Sequence, residues 1–312
     1  MRTAEAILTL AQALDASDDR AAAAAQYQRV YYEYPLQPQA TDAAAGIEAL
    51  RVSMGASYPV PSPAAFLRRA AILSSAGQGR QAVQEVRGAR EAFSTEWKVA
   101  SLVTEGVAQI SFDRRGGLVF LQALTLPHGE ADAERLHHVV QTAHRLNDDV
   151  SALAAMHRLD SDYPDSPWRL EAGLYLADIF LIRNDTEHYT PLYTSCYQAN
   201  PKDTRAAYCH WKVAWRNYLL DRESGEKWFR EHLERFPASE QAAAALYFLG
   251  RIAQEKPDLA AARAYFDAVG KRGAQSYYAI ITRDQLAKLS KTPPSPVVRQ
   301  WVDKLKFPAI TV

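Results

Sequence analysis

An all-α fold, a superhelical solenoid of helical hairpins, is predicted by three observations. A short phrase recurs: an aromatic or small polar residue, proline, small and acidic residues, then an Ala-rich apolar helix pattern. It appears at Tyr34-Pro35, Tyr163-Pro164-Asp165-Ser166, Asn200-Pro201-Lys202-Asp203 and Phe236-Pro237-Ala238-Ser239, the last three prolines lying 37 and 36 residues apart. Apolar residues fall at helical spacing through nearly every segment, and alternating strand patterns are almost absent. A lone hairpin cannot bury its apolar face, so such repeats must stack.

Taken in order, residues 3–14 place Ala6, Leu10 and Leu14 on one stripe with Ile7 beside it. Asp18 or Asp19 can cap the next helix, which runs through Ala21–Ala25 to Tyr27, Val30, Tyr31 and Tyr34. Pro35 ends it, because proline cannot continue the hydrogen-bond ladder. Thr41-Asp42 restarts a helix through Ile47, Leu50 and Met54, and Pro59, Pro61 and Pro63 make an extended connector. Ser62 with Pro63 starts a helix over 63–76, Gly77-Gln78-Gly79 turns the chain, and 80–93 returns with Ala82, Val83, Val86, Ala89 and Phe93 inward. Trp97 to Ile110 reads as helix, Phe112–Gly117 as a turn, and Leu118–Leu126 as an apolar run of either type. From 131 the pattern is regular, with helices expected at 132–145, 148–162, 167–183, 186–199, 203–219, 223–235, 239–254, 258–270 and 274–289. Asp148-Asp149, Asp203-Thr204 and Ser239-Glu240 supply N-caps. The expected divisions are 1–130, less regular hairpins; 131–290, the repeat array; and 291–312, a proline linker (Pro293, Pro294, Pro296) with a last short helix and an apolar stub that reads as the entry to a further domain.

Lys+Arg and Asp+Glu are equal at 36 each, so the chain lacks the basic surplus of a general nucleic-acid binder. No apolar run approaches the ~20 residues that cross a bilayer. The start, with Arg2, Glu5 and Asp15 around a short helix pattern, is not a secretion signal; the protein is cytoplasmic, or its signal has been removed. The two cysteines, Cys196 and Cys209, have no zinc spacing. They lie level across one hairpin, where a disulfide is conceivable, but two buried small residues is the preferred reading.

Over 199–289 the residues become specific. Ala206-Ala207-Tyr208-Cys209-His210-Trp211-Lys212-Val213-Ala214-Trp215 carries a Trp-x-x-x-Trp helix. It is followed by Ala243–Arg251, by Ala261–Phe266, and by a Tyr-Tyr-Ala helix over Ser276–Leu286. This order resembles the non-catalytic helical superhelix of bacterial soluble lytic murein transglycosylases, closely over 131–290 and loosely over 1–130. The resemblance implies a periplasmic protein whose superhelix holds peptidoglycan glycan strands. In that family a separate goose-lysozyme-like domain cleaves them without hydrolysis, leaving a 1,6-anhydro sugar. That domain uses a glutamate in a Glu-Ser motif, with Gly-Leu-Met-Gln downstream. Glu223-Ser224 is the matching dipeptide here, yet it sits in a charged hairpin turn and no Gly-Leu-Met-Gln follows. A catalytic acid needs an apolar pocket to stay protonated, so Glu223 reads as an ordinary helix-start carboxylate and no catalytic residue is assigned.

Other constellations are weaker. His137, His138 and His144 share one helix, but spacings of six and seven do not make a metal pair, and His188, His210 and His232 stand alone. No metal and no cofactor is expected. Trp211, Trp215 and Tyr218 recur at i, i+4 and i+7. Packing between hairpins is the plain reading; an aromatic platform for glycan rings is the functional one. Tyr277-Tyr278 divides likewise, one ring packed and one facing a groove or the next domain. Three functions stay open: positioning of murein strands for a catalytic domain elsewhere; a free-standing tetratricopeptide-like adaptor binding a protein partner in the cell envelope; and, least supported by the residues, an independent enzyme.

Overall fold

The computed structural model describes residues 3–271 and 277–308, and among them every regular element is helical. The chain divides into two compact units, Met1–Ala172 and Gly173–Val312. The first holds α1 (Ala4–Ala16), α2 (Arg20–Glu33), α3 (Gln39–Met54), α4 (Pro63–Ser75), α5 (Gly79–Ala89), α6 (Thr95–Ile110), α7 (Arg114–Ala123), α8 (Glu130–Arg145) and α9 (Asp149–Asp162). Helix α10 (Pro167–Ile182) crosses the division. The second holds α11 (Thr186–Ala199), α12 (Ala206–Leu220), α13 (Arg222–Arg235), α14 (Ala242–Glu255), α15 (Leu259–Gly270), α16 (Tyr277–Lys288) and α17 (Pro296–Lys304). Within each unit the most extensive packing is between chain neighbours, α1 on α2, α2 on α3, α8 on α9, α12 on α13 and α14 on α15, which is the predicted hairpin architecture. The division expected near 130 lies inside the first unit, because α6 and α7 both pack on α8.

Two turn types recur between the helices. The first closes a hairpin. Asp19, Gln78, Asp148, Asp185 and Asp258 donate their N–H to the carbonyls of Leu14, Leu73, Ala143, Phe180 and Ala253, each five residues back, at 2.8–3.0 Å. This is the long bond of a Schellman motif, and it needs a left-handed residue just before the donor. Asp18, Gly77, Asn147 and Asn184 hold that position at φ of 62°, 80°, 59° and 56°. The aspartates then cap the returning helix, accepting from Ala22, Ser151, His188 and Ala261 at 2.9–3.3 Å. The second type is the proline phrase. Tyr34, Tyr163, Asn200 and Phe236 share φ between −134° and −124° and ψ between 47° and 59°. Each accepts a hydrogen bond on its carbonyl from the N–H three residues on, at Gln37, Ser166, Asp203 and Ser239 (3.0–3.1 Å). The recurring phrase is therefore a recurring backbone geometry.

At the fifth turn of this type Pro257 stands just before the donor, Asp258.

Local readings change at three places. In α1 the buried stripe is Ala4, Ile7, Leu8 and Ala11, while Ala6 and Leu10 face out. Both stripes have helical spacing, and packing of α1 on α2 and α3 selects the one carrying Ile7. Arg114-Arg115-Gly116-Gly117 is not a loop but the first turn of α7, capped by Asp113 Oδ1 accepting from Gly116 N at 2.9 Å. Its Gly117 is there for close approach: a Cβ would come within 2.6 Å of Ile110. The stretch after Leu289 is not a free linker. Ser295 N donates to Ala260 O at 2.8 Å, Arg263 Nη1 to Leu289 O at 2.8 Å, and α17 lays Val298 and Val302 against the core of the second unit.

Candidate functional site

The predicted aromatic set lies in the second unit, on α12 and α16. Trp211 stacks on Trp215 (centroids 5.8 Å, 26° between planes) and on Phe229 of α13 (5.4 Å). Trp215 and Tyr218 meet Phe248 of α14 at 4.8 and 5.2 Å, and Phe248 with Tyr247 carries the contact to Tyr278 at 6.0 and 5.5 Å. Tyr278 meets Tyr277 edge-on at 5.3 Å. The result is one aromatic seam across four helices. Tyr218 is buried in it, with its hydroxyl pKa raised by desolvation and Arg222 over its ring at 4.0 Å. Trp211, Trp215 and Tyr278 are half-buried, whereas Tyr277 is 68% exposed. Packing thus accounts for Tyr218 fully and for the tryptophans in large part; Tyr277 presents its ring to solvent.

Cys196 and Cys209 are joined by a disulfide that ties α11 to α12, with Cα atoms 6.2 Å apart. Both residues are buried, as the plain reading required, but bonded.

His210 and His232 do not stand alone. A short turn at Asp221 brings α12 and α13 together so that the two Nδ1 atoms lie 3.3 Å apart, both side chains fully buried among Tyr197, Trp211, Trp228 and Phe236. His232 Nε2 meets Ser239 Oγ at 2.8 Å, and Glu231 Oε1 lies 3.4 Å from His210 Nε2. Burial lowers both imidazoles, to about 4 for His210 and about 3 for His232, so neither is protonated near neutrality. A base held that low is poorly matched to general-base work at pH 7. Sequence reasoning missed the pair because its partners are 22 residues apart on different helices. Elsewhere His137 is buried against His138 and Trp168, its pKa lowered by desolvation to about 4, while His144 bonds Asp149 at 2.7 Å. Among the described residues no group of three or more His, Cys, Asp or Glu is placed to hold a metal.

Glu223 occupies the exposed first turn of α13, where Asp221 Oδ2 caps the helix by accepting from Ser224 N at 2.6 Å. No apolar wall surrounds its carboxyl: Asp221, Glu226, Lys227, Arg230 and Lys256 line the same open depression. A second depression, of about 610 Å³, runs between the proline turns at 201–205 and 236–241, bordered by Lys202, Arg205, Tyr208, Arg235 and Phe236. No helix of the described residues is long and apolar enough to cross a membrane. No protein-family model matches the chain, and no curated protein matches it.

Proposed function

We propose that this chain is the non-catalytic superhelical region of a peptidoglycan lytic transglycosylase, positioning murein glycan strands for a catalytic domain elsewhere in the protein. The observation that carries the reading is the aromatic seam. The helices whose sequences prompted the resemblance, α12, α14 and α16, are joined by ring-to-ring contacts, mostly edge-on, from Trp211 to Tyr278, and the seam ends at the exposed Tyr277. An exposed tyrosine on a rigid aromatic base is a low-entropy contact for a sugar ring or a docking domain. The Cys196–Cys209 disulfide supports a periplasmic location, since such bonds persist in oxidising compartments. Co-sedimentation with purified murein sacculi tests the proposal. The chain is expected to pellet with sacculi, to release no glycan fragments, and to bind several-fold more weakly as Tyr277→Ala. Failure to pellet, or cleavage of glycan by the chain alone, would overturn it.

A protein-binding adaptor of the cell envelope is the second reading. It is favoured by the depression between the proline turns, where Tyr208 and Phe236 lie among Lys202, Asp203, Arg205, Arg235 and Glu240, a mixed-charge rim that suits a polar segment with an apolar anchor. Retention of an envelope protein together with no murein binding would select it.

A further inference from the structure

The first unit contains a groove of about 460 Å³ to which α2, α3, α4 and α5 all contribute. Its floor is aromatic. Tyr31 and Tyr32 meet edge-on at 5.0 Å, and Tyr32 meets Phe66 at 4.9 Å. Its rim carries two carboxylates, Glu48 and Glu85, and each is already closed by a two-point arginine contact. Arg51 donates to Glu48 at 2.8 and 2.9 Å, and Arg69 to Glu85 at 2.7 and 3.0 Å, with Gln81 Nε2 also donating to Glu85 Oε1 at 2.9 Å, so that Glu85 keeps acceptor capacity on Oε2. Arg69 is itself buried, lies 3.7 Å over the Tyr31 ring and donates to Tyr31 O at 2.7 Å. The rim is therefore rich in hydrogen-bonding atoms but locally neutral. A cation would find its carboxylates engaged, and an anion would find its guanidinium groups engaged.

One wall is Gly88, in the last turn of α5. A glycine inside a helix costs roughly 1 kcal/mol relative to alanine. At Gly46 and Gly106 that cost has a visible return: a Cβ would come within 2.7 Å of Tyr27 and 2.3 Å of Leu121, respectively. At Gly88 a Cβ would meet nothing within 4 Å, and the backbone is not left-handed. Neither packing nor conformation requires glycine there, whereas the approach of a bound ring to the helix backbone would.

We propose that this groove is a glycan subsite, taking a neutral pyranose ring against Tyr31 and Phe66, which the buried Tyr32 holds in place, with its hydroxyls bonded to the outer lone pairs of Glu48 and of Glu85 Oε2. The proposal rests on the murein-positioning reading and adds a second place, in the first unit, where the strand is held. The volume lies within the range of small-ligand sites.

The test is calorimetric titration of the full chain with a β-1,4-linked N-acetylglucosamine tetramer. The wild-type chain is expected to bind with a Kd below about 1 mM. Gly88→Trp, which fills the groove, should weaken binding by about tenfold or more, while Gly88→Ala should leave it within about twofold. A Cβ at this position enters open space and both variants remove a helix glycine, so the urea midpoint of Gly88→Ala should equal or exceed that of the wild type, and a Gly88→Trp midpoint at the wild-type level certifies its fold. Phe66→Leu, which keeps an apolar core contact but removes the flat ring, should weaken the tetramer independently. No tetramer binding by the wild-type chain, or binding by Gly88→Trp equal to wild type, would overturn the proposal. So would a groove-dependent affinity for unglycosylated peptide in place of the sugar. Sacculus sedimentation separates the two readings: a chain that pellets with murein while Gly88→Trp changes nothing leaves the positioning function standing and removes this subsite.

Discussion

Acidification from about pH 7.5 to about pH 5 is expected to remove on the order of 4 kcal/mol from the stability of the 173–312 unit, through His210 and His232. In the unfolded chain a histidine takes up its proton near 6.5. In the folded chain burial holds these two at about 4 and about 3. Above about 6.5 both are neutral in either state and no penalty arises. As the pH falls below that value the unfolded chain binds two protons that the folded one refuses, and the equilibrium moves toward unfolding by about 1.4 kcal/mol per pH unit for each group. Loss continues until the folded values are reached. Glu231, 3.4 Å from His210, opposes the effect but does not outweigh desolvation. His137 acts in the same direction in the first unit, so the readout must be local. Hydrogen exchange at the two pH values should show protection falling in α12 and α13. In the His210→Leu/His232→Leu double variant that pH dependence should disappear, whatever its overall stability. Protection in α12 and α13 that is the same at both pH values in the wild-type chain would show that the pair is not held neutral by burial.

Much of this architecture was legible because repeats repeat their turns. The proline phrase announced one turn type, and the expected starts and ends of the helices from 131 onward agree with those observed to within a few residues, save the start expected at 274, which lies outside the described residues. The Schellman turns were half legible. Asp148 was readable as a cap, but the residue before the donor is Asp, Gly, Asn or Pro in different copies, so no single letter marks the site. What failed were choices between equivalent patterns. Ala6-Leu10-Leu14 and Ala4-Ile7-Leu8-Ala11 are both helical stripes, and only the partner helices decide between them. Gly116-Gly117 looks like a turn because close helix approach and turn chemistry both call for glycine. Long-range pairings were not legible. The His210–His232 contact and the four-helix groove at Tyr31–Tyr32 depend on how hairpins stack, which periodicity does not encode.

The largest single-residue effect expected is at Asp132. This carboxylate is 3% exposed. It accepts from Arg135 Nε at 2.6 Å, from the Tyr163 hydroxyl at 2.8 Å and, at the surface, from Arg158 at 3.4 Å. Tyr163 opens a proline phrase, so Asp132 fastens α8 to the turn that follows α9. Asp132→Ala would leave the guanidinium of Arg135, itself 4% exposed, with the Leu121 carbonyl as its remaining described acceptor. Stranding a buried charge in this way costs about 3–5 kcal/mol, against about 1 kcal/mol for the hydroxyl alone in Tyr163→Phe. Arg158→Ala should cost under about 1 kcal/mol, because that pair is half in water. The mechanism is separable from simple loss of contacts. If the penalty is the uncompensated guanidinium, Asp132→Ala/Arg135→Met should recover a large part of it, since removing both charges restores an apolar interior. If the double variant is as unstable as the sum of its parts, the cost lies in packing, and the buried ion pair is not what holds this corner of the first unit together.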